Sequence, residues 1–240
     1  MYQTNKLFVT PQVSMTELIS ENPSLLVLLE HFDTDCVVHD DSVHEFCTHH
    51  NIPENVFTLF ANIYNGIIPT ALPEFSNEDC MVMIRFLAQS HVYYKTQKYP
   101  EIESYIIQLS EYNKAPEIPL IQKFYYQYVA EVNEHLEYEN ATAFPFFMSL
   151  LHTQETTEAS NKFSALEYKE HHTDIECKLS ELKQLLLKHV PIQNDRILRR
   201  KILVSLFELE QDLHMHSLIE EVILTPVMHA IEKKRSHVKK

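Results

Sequence analysis

From residue 76 onward, apolar positions recur at alternating steps of three and four, the period of helices buried along one stripe. Breaks divide this pattern into four long helices, predicted over 76 to about 109, 120 to about 153, 162–189 and 195 to about 234. Pro116 and Pro119 forbid a continuous helix after the first, the polar run 154–161 separates the second from the third, and Pro191 closes the third. Pro226 falls inside the fourth, where a kink or interruption is expected one turn beyond Glu220. Four such helices with short connections predict an up-down-up-down bundle.

Upstream the patterns are shorter. A Ser14/Glu17 capping box predicts a first helix over 16–20, and Asn22-Pro23 predicts a second over 24–32. Asp40, Asp41 or Ser42 caps a third through Cys47 and His50, and Pro53 starts a fourth that ends at Asn65-Gly66. Residues 67–75, with Pro69 and Pro73 and no periodicity, form a linker. The expected fold is therefore all-α, with a small helical domain over 1–75 and the four-helix bundle over 76–240.

Composition narrows the function classes. A single glycine, Gly66, in 240 residues disfavours turn-rich β architectures, phosphate loops and dinucleotide fingerprints. A net charge of -14 argues against a general nucleic-acid binder, because phosphate binding is dominated by Lys and Arg. No apolar run approaches the ~18 residues of a membrane span, and the polar start has no signal-peptide form, so a cytoplasmic protein is expected. The cysteines Cys36, Cys47, Cys80 and Cys177 lie far apart without a CxxC and are expected as free thiols.

The stripes carry the candidate chemistry. Ile202, Leu206, Leu209 and Leu213 lead to His216 and Glu220, and Phe124, Tyr128 and Val132 lead to His135 and Glu139. Ile84, Leu87 and Ala88 precede His91, while His172 continues through Ile175, Leu179, Leu182 and Leu186; His171 and His214 fall off these lines. One buried histidine is commonly a hydrogen-bonded core residue, and one His/Glu pair is common on a solvated helix. One inward histidine on each of four helices, with two inward glutamates, favours a metal site, because buried carboxylates are costly unless paired or metal-bound. Imidazole and carboxylate without thiolate suit iron, manganese or zinc, and too few ligands for two octahedra leaves positions open for dioxygen, nitric oxide or peroxide. No ExxH pair of the ferritin-like kind occurs. His31, His39, His44, His49 and His50, with Cys36 and Cys47, offer a second metal site only weakly, since none combines ligand spacing with an apolar setting.

His91, the run His135-Leu-Glu-Tyr-Glu139-Asn-Ala-Thr-Ala-Phe-Pro145, the run Glu-His-His172-Thr-Asp-Ile-Glu176 and the run His216-Ser-Leu-Ile-Glu220-Glu-Val-Ile-Leu-Thr-Pro226 resemble the hemerythrin-like HHE cation-binding domain over roughly 80–232. Residues 12–66 resemble the small N-terminal helical domain of the RIC family, di-iron proteins implicated in iron-sulfur cluster repair after nitrosative and oxidative damage. The resemblance implies two non-haem irons, with manganese or zinc as alternatives. Their ligands would be His91, His135, Glu139, His172, His216 and Glu220, with both glutamates bridging. It further implies redox activity at the centre, a small diatomic ligand (dioxygen or nitric oxide), and iron-sulfur proteins as partners. Two departures stand out. Where relatives carry an adjacent cysteine pair followed by glycines, this chain reads Asp35-Cys36-Val37-Val38-His39-Asp40-Asp41, and Glu221 follows Glu220 where asparagine is frequent. Without the cysteine pair, an alternative is a sensor of oxygen or nitric oxide acting through a protein partner. Tyr94 and Tyr128, one turn from ligands, are candidate hydrogen-bond donors around the centre, in competition with an ordinary core role.

Overall fold

The computed structural model describes residues 7–113, 115–152, 164, 175–188 and 196–238, and among them every regular element is helical. The N-terminal part holds α1 (Met15–Glu21), α2 (Leu25–His31), α3 (Val43–His50) and α4 (Glu54–Tyr64). Longer helices follow: α5 (Asn77–Tyr93), α6 (Tyr99–Tyr112), α7 (Ile118–Tyr138), α8 (Phe144–His152), α9 (Ile175–Lys188), α10 (Arg196–Leu218) and α11 (Thr225–Val238). None of the described helices is long and apolar enough to cross a membrane.

Helix ends in the N-terminal part follow local chemistry, with one correction. The Ser14 side chain makes no cap; instead Ser14 forms an isolated antiparallel bridge with Ser42, and Met15 N–H donates to Asp41 O at 2.9 Å. The capping box forms at the other end of that bridge, between Ser42 and Glu45. Asn22 caps the entry to α2 as its place before Pro23 predicts: Ser24 N–H donates to Asn22 Oδ1 at 3.1 Å, while Ser24 has helical backbone angles and makes no side-chain cap. Its Nδ2 turns to the end of α4, donating to Tyr64 O at 3.0 Å and Asn65 Oδ1 at 2.8 Å. Gly66 closes α4 as expected, at φ 74, with Ile67 N–H bonded to Asn62 O and Gly66 N–H to Ile63 O. This double bond pattern demands the left-handed conformation that glycine adopts without strain.

Among the described residues, each π turn in the long helices has a proline just after it. The turns Tyr94–Lys98, Glu139–Ala143 and Ile219–Leu224 join α5 to α6, α7 to α8 and α10 to α11. The second residue of each following helix is Pro100, Pro145 or Pro226. A proline ring clashes with the carbonyl four residues back and offers it no N–H. Widening the turn by one residue shifts the carbonyls of Thr96, Ala141 and Val222 aside without ending the helix. The interruption expected beyond Glu220 therefore lies earlier in the chain and spans Glu220 itself.

By internal contacts the chain divides into Met1–Ser90 with Thr142–His171 and Met215–Lys240, and His91–Ala141 with His172–His214. In the first unit, Phe32 and Phe60 each lie 4.8 Å from the Phe86 ring centroid, which packs the N-terminal helices onto α5. There too α11 packs on α8, and Asn77 Nδ2 donates to Leu151 O. In the second unit α9 and α6 pack on α7. Its core takes Ile102 and Ile106 from α6, Tyr125, Tyr128 and Val132 from α7, Leu179, Leu182 and Leu186 from α9, and Ile202, Leu206, Leu209 and Leu213 from α10. Each such aliphatic side chain contributes about 1.5–3 kcal/mol on burial. Those stripes match the sequence periodicity except on α7, where Tyr125 is buried and Phe124 only partly so. Of the helix expected over 162–189, only Ser164, which is not helical, and α9 are described; the stretch carrying His171 and His172 lies outside the described residues.

Candidate metal centre

Histidine at the end of an α-helix, carboxylate in the π turn that follows: this arrangement occurs twice. His135 lies in the last turn of α7 and Glu139 opens the next π turn; His216 lies in the last turn of α10 and Glu220 is the second residue of the next. His91 occupies the last turn of α5, ahead of the π turn at Tyr94. The prolines that widen these turns thus also shape the segments that carry both carboxylates.

Both carboxylates are fully buried, at 0% exposure, and each faces imidazole nitrogen. Glu139 is gripped on both oxygens: His91 Nε2 stands 3.3 Å from Oε2 and His135 Nε2 stands 3.2 Å from Oε1. Burial pushes the Glu139 carboxyl up, but the bonds and charge of His135 and His91 outweigh it and hold the group well below the usual carboxylate range. His216 Nε2 stands 3.2 Å from Glu220 Oε1.

The second ring nitrogen of two of these histidines is also engaged. His216 Nδ1 lies 2.8 Å from Ser90 Oγ, which itself lies 2.7 Å from Leu87 O, and His91 Nδ1 lies 3.1 Å from Asn140 Oδ1. Apolar stripes single out the ligands and pass over Ser90 and Asn140. Their signal is positional, since each is a polar residue adjoining a candidate ligand, in Ser90-His91 and Glu139-Asn140.

His91, Glu139, His216 and Glu220 each offer a ligand atom within 4.8 Å of the others, and this buried group could hold a metal ion. The donor set fits one: neutral imidazole and carboxylate without thiolate suit iron, manganese or zinc. N···O separations of 3.2–3.3 Å are also those of two donors sharing a cation about 2.1 Å from each. His135 lies outside that group of four yet touches the far oxygen of Glu139. His214, beside His216, is exposed, as its place off the stripe predicts. His172, the remaining predicted ligand, lies outside the described residues.

Tyr94 and Tyr128 are buried in a tyrosine-rich part of the core, Tyr94 stacked at 6.2 Å on Tyr99 and Tyr128 edge-on to it at 6.5 Å. The N-terminal histidines and cysteines form no comparable group among the described residues. His44 Nδ1 meets Glu54 at 2.6 Å and His49 Nδ1 meets Asp41 at 2.8 Å, both exposed, while His31 packs edge-on against Phe86. Burial pushes the thiols of Cys47 and Cys80 up to about 12 and about 11, away from reactive thiolate; Cys36 is exposed. Compared with family models, curated proteins and solved structures, the chain matches none of them, so the functional reading is built on these residues and their geometry.

Proposed function

We propose that this chain is a cytoplasmic non-haem di-iron protein: a hemerythrin-like four-helix bundle with a small N-terminal helical domain. In this reading it binds nitric oxide or oxygen species and supports repair of iron-sulfur clusters damaged by oxidative or nitrosative stress. The observation that carries the metal reading is the buried group of His91, Glu139, His216 and Glu220, two carboxylates and two imidazoles drawn together inside apolar surroundings. The repair assignment draws on the resemblance of residues 12–66 and of the HxxxE motifs to the RIC family.

His91, His135, Glu139, His172, His216 and Glu220 would hold the metals, which supply a redox-active cation with open positions for a diatomic ligand. The chain's own work is to exclude water, to present imidazole nitrogen to each carboxylate, and to keep Glu139 ionised in a dry setting. Glu139, with a different histidine on each oxygen, has the disposition a bridging carboxylate needs.

Elemental analysis after anaerobic purification tests the first step. About two irons per chain are expected; less than about one iron, manganese or zinc per chain overturns the di-metal reading. Nitric oxide should then change the optical spectrum of the reduced protein, and the loaded protein should restore activity to a damaged iron-sulfur enzyme. The sensor reading is favoured by one observation, the single exposed Cys36 where the family carries a cysteine pair. Failure of restoration alongside ligand-dependent partner binding would select it.

A further inference from the structure

We infer that Ser90 and Asn140 are positioning residues that fix the ring protons of His216 and His91 on Nδ1 and so turn each Nε2 lone pair toward the carboxylates. The inference deepens the metal reading proposed above and rests on it.

For His216 the assignment follows from counting protons. Ser90 Oγ has one hydrogen and two close polar neighbours, Leu87 O at 2.7 Å and His216 Nδ1 at 2.8 Å. A carbonyl only accepts, so the hydroxyl proton goes to Leu87 O, and the second contact forms only if Nδ1–H donates to Oγ. The reverse arrangement would press two oxygen lone pairs together at 2.7 Å inside a buried site. Ser90 is itself fully buried, which leaves no water to relieve such a clash. For His91 the partner at 3.1 Å is the Asn140 amide oxygen, which has no proton to give, so again Nδ1–H donates.

The consequence lies at the other nitrogen. With Nδ1 protonated, a neutral ring has its lone pair on Nε2, the atom 3.2 Å from Glu220 in His216 and 3.3 Å from Glu139 in His91. Two electron-rich atoms at that distance favour a cation shared between them, and a fixed tautomer presents the ligand atom already aimed. The two devices interleave along the chain: Ser90 precedes one candidate ligand and holds another, and Asn140 follows one and holds another.

Two measurements test this. Nitrogen-15 NMR of the histidine rings, recorded on zinc(II)-loaded protein, should show a pyrrole-type Nδ1 and a metal-bound Nε2 for His216 and His91. A pyrrole-type Nε2 at either ring of the loaded protein overturns the inference for that ring. Chelator competition for zinc(II) supplies the second readout. Ser90→Ala should weaken zinc binding about 10–100-fold while Ser90→Thr, which keeps the hydroxyl, stays near wild type. Asn140→Asp, which keeps an acceptor for Nδ1–H, should bind zinc more tightly than Asn140→Leu, which removes it; equal affinity in Asn140→Leu and wild type overturns the role of Asn140. Equal zinc affinity in Ser90→Ala and wild type overturns the positioning role. A wild type that binds no zinc, iron or manganese overturns the metal reading and this one together, whereas zinc-binding wild type with unchanged Ser90→Ala overturns this one alone.

Discussion

Two sets of histidine-carboxylate pairs differ in depth and contact length, apart from the loose surface contact of His229 with Glu232 at 3.9 Å. In the N-terminal part, His44 meets Glu54 at 2.6 Å and His49 meets Asp41 at 2.8 Å, both through Nδ1 and both on the surface. At the candidate metal centre the contacts are longer, 3.3 Å for His91, 3.2 Å for His135 and 3.2 Å for His216, and all run through Nε2 to fully buried carboxylates. Attraction between opposite charges grows as the effective dielectric falls, so bare buried pairs should close at least as tightly as exposed ones. They do not. The exposed pairs have the geometry of simple hydrogen bonds, whereas the buried set has the spacing of donors arranged around a shared cation.

The comparison is broken most severely by removing a buried carboxylate. Glu139→Gln and Glu220→Gln should each weaken iron or zinc binding by more than about 100-fold, since even residues that merely orient ligands cost 10–100-fold. Metal content by elemental analysis checks this, and unchanged content in either variant would remove that residue from the centre. A sharper version contrasts neighbours on one helix. His216→Ala should lose most of the bound metal, while His214→Ala, whose side chain is exposed, should retain it.

Much of this contrast was legible in the sequence, and the reasons differ by element. The fourth stripe ran without error from Ile202 through Leu213 to His216 and Glu220, because a regular helix converts spacing directly into facing. Gly66 announced the end of α4 because its bond pattern requires a left-handed residue. Three things escaped. The Ser14 cap failed because its backbone is committed to a bridge with Ser42, a partner distant in sequence. The π turns escaped because Pro226 predicts a kink or interruption and Pro100 and Pro145 carry no prediction, whereas an extra residue in each turn absorbs the ring while the helix runs on. Ser90 and Asn140 were missed because stripe reasoning looks for apolar neighbours and inward ligands, and a residue that holds a ligand by its far nitrogen fits neither pattern.

A smaller effect tests the N-terminal part on its own terms. Asn62 on α4 accepts from Val9 N–H at 2.9 Å and donates to Val9 O at 3.0 Å, taking the place of a neighbouring strand for an extended segment. Asn62→Ala leaves both backbone groups buried without that partner and should cost about 1–3 kcal/mol in denaturant unfolding, with metal content unchanged. A loss of metal in this variant would mean that the N-terminal part supports the centre as well as itself.

The smallest expected effect concerns the exposed pairs. His44 and Glu54 are 67% and 38% exposed as side chains, so water screens their attraction and the ordering of both chains offsets part of it. His44→Gln and His49→Gln should therefore each change stability by less than about 1 kcal/mol, less still in high salt, and leave metal binding at the wild-type level. If either variant lost metal as His216→Ala should, the distinction between short exposed pairs and long buried ones would carry no functional meaning. A second centre among the N-terminal histidines, with Cys36 and Cys47 as further donors, would then have to be sought.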